Sequence, residues 1–210
     1  MPSVLSREST IVAAHAIALA GSGVLTGGIL SLSFFTTPTL LLAPSPLAQK
    51  QWSHLYNLGK RTMPFLSLLT SFSYLVLSRL YTSPLTAIVP LSQRKSFLFI
   101  LSSGLTLSMV PYTMIFMRST IAGLEKAGQL MKLGGVASGE KGVERGEQIE
   151  NMKVVEGKNT KQLIDEWGVL NLGRAALTGL GFVVGIWGSM IPVREVVQVV
   201  VGPVPVQMVV

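Results

Sequence analysis

Residues Trp167–Gly188 read WGVLNLGRAALTGLGFVVGIWG, and this stretch has the composition of a helix in a lipid bilayer. From Trp167 to Ile191 the only charged side chain is Arg174. The stretch is long enough to cross the hydrocarbon core of a membrane, which takes about 20 helical residues. An arginine in such a helix costs at least about 3 kcal/mol, so other groups must compensate its charge.

The polar and small residues of this stretch are spaced so that they share one helix face. Residues three or four positions apart are neighbours on a helix, and that spacing joins Trp167, Asn171, Arg174, Thr178, Gly181 and Gly185. We expect this face to look into a helix bundle, where Arg174 and Asn171 offer donors to an anionic group. The alternative is that Arg174 extends to the membrane surface beside Trp167. That alternative would explain the arginine but not the aligned asparagine and threonine.

The composition of the 210-residue chain favours a membrane protein, with 49% hydrophobic residues, 13% charged residues and a mean hydropathy of +0.53. The segment from Glu125 to Glu166 holds seven basic and eight acidic residues, which leaves ten basic and two acidic residues elsewhere. Those remaining basic residues flank apolar runs, as charges at membrane boundaries do. The sequence pI of 9.9 therefore indicates contact with a lipid bilayer, and we expect no binding of nucleic acid.

Four apolar stretches predict an all-α, multi-pass integral membrane protein that folds as a four-helix bundle with one long extramembrane loop. The bundle is a single membrane domain over residues 1–210, with the charged loop at 118–166 and a tail at 192–210. We place the spans at about residues 10–37, 63–80, 97–117 and 169–190.

Glycine and proline positions predict the geometry of these helices. Pro38 favours an end to the first helix, and Pro111 favours a kink in the third, because proline disrupts helix continuation. Pairs of glycines four residues apart allow helix backbones to approach closely, and such pairs occur at Gly23 with Gly27 and at Gly181 with Gly185.

Several kinds of chemistry lack their residues in this chain. The absence of cysteine excludes disulfides, zinc–thiolate sites and thiol-based redox chemistry. With two histidines and no carboxylate inside a predicted span, we predict no metal site and no carboxylate proton relay. The sequence also lacks the zinc-protease, serine-hydrolase, phosphate-loop and dinucleotide-binding motifs.

Residues Gln51–Pro64, QWSHLYNLGKRTMP, hold three candidate site residues. Trp52 and Tyr56 are four residues apart and share a helix face, whereas His54 points elsewhere. Membrane-surface tryptophan and tyrosine are commonly belt residues, and a lone histidine is usually solvated. The alternative is that His54 is a catalytic base, since its ordinary pKa is near neutrality.

The other candidates lie in the first and third spans. Tyr112 and Thr113 directly follow Pro111. A kink there either opens a cavity or is a simple bend in the bundle interior. His15, in an alanine-rich helix, is expected to be a buried, hydrogen-bonded residue rather than a proton carrier.

Taken in order, these motifs resemble the anthrone oxygenase family, small four-span membrane proteins of fungal aromatic polyketide pathways. The resemblance covers most of the chain, but the family usually has asparagine where this chain has Ile121. That departure removes the polar group expected at the position. The similar segments are SLSFFTTPTLL with Pro38, QWSHLYNLGKRTMP with Trp52, Tyr56, Gly59 and Pro64, PYTMIFMRSTIAGL with Pro111, Tyr112, Thr113, Met117 and Thr120, and WGVLNLGRA with Trp167, Asn171 and Arg174.

The resemblance implies oxidation of a polyketide-derived anthrone to an anthraquinone by molecular oxygen, without a resident cofactor or metal. We expect His54 to be the base, and Arg174 and Asn171 to stabilise the oxyanion. The residues expected to bind the small aromatic substrate are Trp52, Tyr56, Tyr112, Thr113 and Trp167.

The expected location is the endoplasmic reticulum or a vesicle membrane, with association to other pathway enzymes possible through the charged loop. A second hypothesis from the same sequence is a non-enzymatic membrane carrier, or a scaffold that holds pathway enzymes through residues 125–166. An enzyme whose site lies among the spans should tolerate deletion of the loop interior, whereas a scaffold should not.

Overall fold

The computed structural model describes residues 4–82, 91, 94–133 and 157–192, and its elements are helices. The first helix, α1, passes through a π-helical turn at Leu32–Thr36 into α2. In chain order the α-helices are α1 (Val4–Ser31), α2 (Thr37–Leu42), α3 (Ser45–Leu80), α4 (Lys95–Leu107), α5 (Met109–Phe116), α6 (Arg118–Leu133) and α7 (Thr160–Met190).

Four of the described helical segments are long and apolar enough to cross a membrane, which confirms the predicted all-α, multi-pass membrane bundle. Exposed large apolar side chains lie along these segments, as expected of surfaces that face lipid. The four segments are Ser6–Leu42, Ser45–Leu80, Lys95–Phe116 and Thr160–Met190.

The third helix, α3, extends well beyond the predicted span at residues 63–80. It has 36 residues, about 54 Å at 1.5 Å per residue, whereas the hydrocarbon core is about 30 Å thick. The first half of α3 carries the exposed side chains of Lys50, Lys60 and Arg61. Exposed charges of this kind are typical of helix segments at or beyond the membrane surface.

The region predicted as a loop at 118–166 is partly helical. The helix α6 occupies Arg118–Leu133, and α7 begins at Thr160 with a capping box between Asn159 and Gln162. The interior of the predicted loop and the valine-rich tail lie outside the described residues. The apolar face of α6 packs against α3 and α7 in a cluster with Trp52 and Trp167.

The prolines act differently from one another. Pro38 falls in the first turn of α2, so the helical path continues past it after the π-helical turn. Pro64 lies inside a continuous α3. Near Pro111, where a kink is predicted, the helix is interrupted at Ser108, between α4 and α5. Proline has no N–H to bond the carbonyl four residues earlier.

Serine hydroxyls join α3 to α4 across the bundle. Ser71 Oγ donates to the Ser103 carbonyl at 3.2 Å, and Ser103 Oγ donates to the Ser71 carbonyl at 3.0 Å. Ser67 Oγ donates to the Thr106 carbonyl at 3.0 Å. Such bonds contribute about 0.6 kcal/mol each in a membrane, where no hydrophobic effect holds helices together.

Glycines on α7 receive side chains from neighbouring helices. A Cβ at Gly185 would collide with the Tyr74 phenol, and one at Gly181 would collide with the Thr106 hydroxyl. The prediction of close approach at these two glycines is confirmed. At Gly27 it is wrong, because that residue is exposed and a Cβ there would meet nothing within 4 Å.

The same substitution at two glycines tests this packing. Gly185→Ala should destabilise the protein by about 1–3 kcal/mol, because the added methyl group displaces Tyr74. Gly27→Ala should leave stability unchanged or raise it by up to about 1 kcal/mol, through higher helix propensity. Thermal unfolding in detergent provides the comparison, and equal midpoints for the two variants would contradict the packing.

Candidate active site

Arg174 points into the bundle, so it does not extend to the membrane surface. Its Nη1 donates to Asn171 Oδ1 at 2.9 Å, and its Nη2 donates to the Met109 sulfur at 3.5 Å. Its Nε is buried and has no hydrogen-bond partner among the described residues. The guanidinium is therefore held by two neutral acceptors, and its Nε–H has no hydrogen-bond partner among the described residues.

Asn171 orients the arginine through a chain of hydrogen bonds along α7. The amide is fully buried, and its Nδ2 donates to the Trp167 carbonyl one turn earlier at 2.8 Å. This bond directs Oδ1 toward Arg174. Thr178 Oγ1 donates to the Arg174 carbonyl at 3.1 Å, so its hydroxyl supports the helix and not a ligand. The predicted inward face of α7 is confirmed.

Aromatic rings from α3 and α7 meet beside this chain of bonds. The rings of Trp52 and Tyr56 are stacked, with centroids 5.1 Å apart and an interplanar angle of 4°. The edge of Trp167 meets the Trp52 ring at 6.2 Å. Trp52 is fully buried, and its indole Nε1 has no hydrogen-bond partner in the described part of the chain.

Tyr112 completes the group from α5. A Cβ at Gly173 would collide with the Tyr112 hydroxyl, so this glycine lets the phenol lie against the α7 backbone. The phenols of Tyr56 and Tyr112 are close enough to Arg174 to interact with it electrostatically. We call the assembled residues the arginine cluster: Trp52, Tyr56, Met109, Tyr112, Trp167, Asn171 and Arg174.

Two contributors to the arginine cluster were missed by sequence reasoning. Met109 accepts from Arg174, and only its place one turn before Thr113 on an apolar helix could have suggested it. Gly173 had a clearer signal, since a glycine next to a membrane-embedded arginine leaves space above the backbone.

Thr113, predicted to bind substrate, donates its hydroxyl to the Met109 carbonyl at 2.8 Å. Ile121 packs in the apolar cluster with Trp52 and Trp167.

His54 lies outside the arginine cluster. It is exposed, and it is two residues from both Trp52 and Tyr56, so it projects from another face of α3. It borders an open groove of about 850 Å³ between α3 and the π-helical turn with α2. We call this the α2–α3 groove, lined by Phe35, Thr36, Thr39, Leu40, Leu47, Lys50, Gln51, His54 and Leu55.

His15 lies apart from both places, on α1. Its Nδ1 is 2.9 Å from the Ile11 carbonyl, and its ring meets Tyr81 and Phe99 edge-on at 5.9 and 5.6 Å. The expectation of a hydrogen-bonded histidine is confirmed, although its side chain is half-buried. Among the described residues, no group of three or more metal-ligating side chains is gathered at one point.

The arginine cluster provides unused donors in a setting of low polarity. An unsatisfied buried donor costs about 1–3 kcal/mol, and native structures hold few of them. Trp52 Nε1 and Arg174 Nε are two such donors, and the rings of Tyr56 and Trp167 pack on Trp52. This arrangement suits a flat ligand that presents an oxygen with negative charge.

Gly173→Ala tests whether Tyr112 depends on this close approach. The added methyl group should push the Tyr112 phenol away from Arg174 and lower turnover by about tenfold, because a displacement near 1 Å costs up to about a hundredfold. Gly104→Ala is the matched control, since a Cβ there would meet nothing within 4 Å. Wild-type turnover in Gly173→Ala would show that Tyr112 has no role at the site.

Known proteins resemble this chain over most of its length, and a family model described as anthrone oxygenase matches residues 52–184. The noranthrone monooxygenase of Aspergillus flavus is 26% identical over 188 residues, which cover 88% of this chain and 77% of the relative. Anthrone oxygenase nsrD of Aspergillus novofumigatus is 32% identical over 134 residues, 60% of this chain and 76% of the relative.

Anthrone oxygenase AgnL2 of Paecilomyces divaricatus is 26% identical over 184 residues, which cover 85% of this chain and 96% of the relative. No solved structure matches the chain. Every residue of the arginine cluster falls within the matched segment at 52–184, and this segment is more than half of the chain. The protein belongs to the anthrone oxygenase family.

Proposed function

We propose that this protein is an anthrone oxygenase that converts a polyketide-derived anthrone to the anthraquinone with molecular oxygen. The reaction is supported by the names of three relatives and by the family match. The observation that carries the site assignment is the inward guanidinium of Arg174, fixed by Asn171, with its buried Nε left without a hydrogen-bond partner among the described residues.

The chemistry needs a base and an oxyanion site. Removal of a proton from the methylene carbon gives an anion delocalised onto the carbonyl oxygen and both aryl rings. Transfer of electrons to O₂ and formation of a C–O bond give a peroxide, which takes up a proton. Loss of the second C–H proton with cleavage of the O–O bond gives the new carbonyl and one water. The balance is one anthrone and one O₂ to one anthraquinone and one water.

We assign the oxyanion site to Arg174 and Asn171. A guanidinium presents planar donors to an oxygen whose charge develops in the reaction, and donors fixed in advance require no reorganisation. Trp52, Tyr56, Tyr112 and Trp167 provide aromatic walls, and the indole N–H is a further donor. Thr113 stabilises the turn of α5 that carries Tyr112, since its hydroxyl already donates to the Met109 carbonyl.

His54 is our proposed base, and its position sets a condition on the substrate. The imidazole borders the α2–α3 groove, so a substrate that also meets Arg174 must extend from the groove past Leu40 and Leu55. These two leucines belong both to the groove lining and to the apolar cluster around Trp52 and Trp167. Movement of these apolar side chains would therefore connect the two places.

We propose that the enzyme uses O₂ as co-substrate without a resident cofactor, since the anthrone anion itself supplies the electrons. The four apolar helices support a multi-pass membrane protein, and we propose the endoplasmic reticulum or a vesicle membrane as its location. The mixed charge of residues 125–166 supports an association with other enzymes of the same pathway.

Replacement of Arg174 should lower the rate of anthrone-dependent oxygen uptake by membranes that contain the protein. Arg174→Ala should lower kcat by about a hundredfold or more, as loss of an oxyanion donor does. The kcat of Arg174→Lys should lie between those of Arg174→Ala and wild type, because lysine keeps the charge but lacks the planar guanidinium. Rates are measured above spontaneous autoxidation. Arg79→Ala, an exposed arginine at the other end of α3, is the control.

Full activity in both Arg174 variants would contradict the proposed oxyanion site. Membrane insertion of each variant is checked first, because loss of the protein from membranes would mimic loss of activity.

His54→Ala should lower kcat by about a hundredfold or more if the imidazole removes the methylene proton. Because His54 is exposed, the variant should insert and fold normally, and oxygen uptake with an anthrone provides the measurement. Unchanged kcat would reject His54 as the base and direct the assignment to Tyr56 or Tyr112, the phenols beside Arg174.

A further inference from the structure

The α2–α3 groove has a polar edge with three donor side chains. Leu47, Lys50, Gln51 and His54 follow one another at helical spacing along a single face of α3. The lining contains no acidic residue. Lys50, Gln51 and His54 are exposed, so their donors are directed to whatever enters the groove. This edge favours an occupant with oxygen acceptors or negative charge.

The opposite wall of the groove comes from the π-helical turn and α2. Single π-helical turns within α-helices are frequent at functional sites. Thr36 and Thr39 contribute carbon surface here, because their hydroxyls already donate to the carbonyls of Ser31 and Phe35, at 3.3 and 2.7 Å. Together with the leucines, the ring of Phe35 makes this wall apolar.

The floor of the groove is shared with the apolar cluster around Trp52 and Trp167. Leu40 is only 4% exposed, and both it and Leu55 pack in the apolar cluster that contains Trp52 and Trp167. The outer end is open, with Phe35 72% exposed. The groove therefore leads from the outside of the protein to the apolar wall of the proposed catalytic site.

We propose that the α2–α3 groove is a capture site for flat phenolic aromatic compounds, the substrate and product class of this enzyme. The inference rests on the proposed function. Its volume of about 850 Å³ lies within the range of about 300–1,000 Å³ for small-molecule sites. Leucines and Phe35 contact the ring faces, while Lys50, Gln51 and His54 bind the phenolic oxygens.

An anionic phospholipid shares some of this chemistry, since a head group would meet Lys50 and an acyl chain would meet the leucines. The aromatic occupant is favoured because the groove adjoins the apolar cluster around Trp52 and Trp167. Its edge also pairs one charged donor with the neutral donors Gln51 and His54, which suit phenolic oxygens. The lipid is therefore an outcome that the experiment must be able to detect.

The probe is 1,8-dihydroxyanthraquinone, which has the required shape and cannot undergo methylene oxidation. Its affinity is measured by absorbance and tryptophan fluorescence, with the full-length protein in nanodiscs of neutral lipid and with empty nanodiscs as baseline. Lys50→Glu should raise Kd by about tenfold or more, because a charge-assisted hydrogen bond is replaced by repulsion. Leu47→Trp, which fills the groove from an exposed position, should also raise Kd.

Lys126→Glu is the matched control, since it makes the same charge change at an exposed lysine on α6, and it should bind like wild type. Equal Kd values for Lys50→Glu, Leu47→Trp and wild type would overturn the capture site. A second outcome would also overturn the capture site. If phosphatidylserine in the nanodiscs abolishes probe binding to wild type but has no effect on Lys50→Glu, the groove binds a lipid head group.

This test separates the inference from the proposed function. Binding that depends on Lys50 without anthrone-dependent oxygen uptake would support the groove and reject the enzyme assignment. Oxygen uptake that depends on Arg174, with KM unchanged in Lys50→Glu, would support the enzyme and reject the groove.

Discussion

The structure depends on how one positive charge is kept inside a bundle of membrane helices. The Trp167 carbonyl accepts from Asn171, and Asn171 accepts from Arg174, with both hydrogen bonds under 3 Å. Neither partner carries a negative charge, so the guanidinium is solvated but not neutralised. A charge held in this way in a region of low polarity attracts an anion strongly. This charge is the basis of the proposal that the bundle binds a ligand that becomes negative during its reaction.

Glycines decide where the neighbouring helices can bring their side chains. At Gly173 and Gly185 the missing Cβ makes room for a tyrosine hydroxyl, from Tyr112 and Tyr74. Bulkier residues would keep these phenols away from α7. The same feature that packs α3 against α7 at Gly185 therefore places the Tyr112 phenol against α7 at Gly173, next to Arg174 in the chain.

Much of this arrangement could be predicted from the sequence, because helical spacing alone fixes which residues share a face. That rule placed Asn171, Arg174 and Thr178 inward, and it separated His54 from Trp52 and Tyr56. The prediction of a close helix approach at Gly27 was wrong, since a glycine pair does not show whether another helix lies opposite. The extent of α3 and the bounds of α6 were missed because charges and prolines suggest boundaries, whereas both segments pack in the cluster around Trp52 and Trp167.

What the sequence could not provide is the relation between the α2–α3 groove and the arginine cluster. His54 and Arg174 are far apart in the chain, and only the fold shows that Leu40 and Leu55 stand between their surroundings. The groove also needs the π-helical turn at Leu32–Thr36, which no pattern of residues predicts. The proposed substrate route from the α2–α3 groove toward Arg174 therefore depends on how the helices are assembled.

The most direct measurement of the central claim is the ionisation of a bound phenol. The visible absorbance of 1,8-dihydroxyanthraquinone bound to the protein in nanodiscs is recorded against pH for protein with Arg174 and for Arg174→Gln, which keeps hydrogen-bonding capacity without charge; both proteins carry Lys50→Glu, so that probe held in the α2–α3 groove does not contribute. If the guanidinium faces the ligand oxygen, the phenol pKa should be lower in the complex with Arg174 than in the complex with Arg174→Gln, because the nearby cation favours the phenolate. The same pKa in both complexes would contradict an inward charge that binds the substrate's oxyanion.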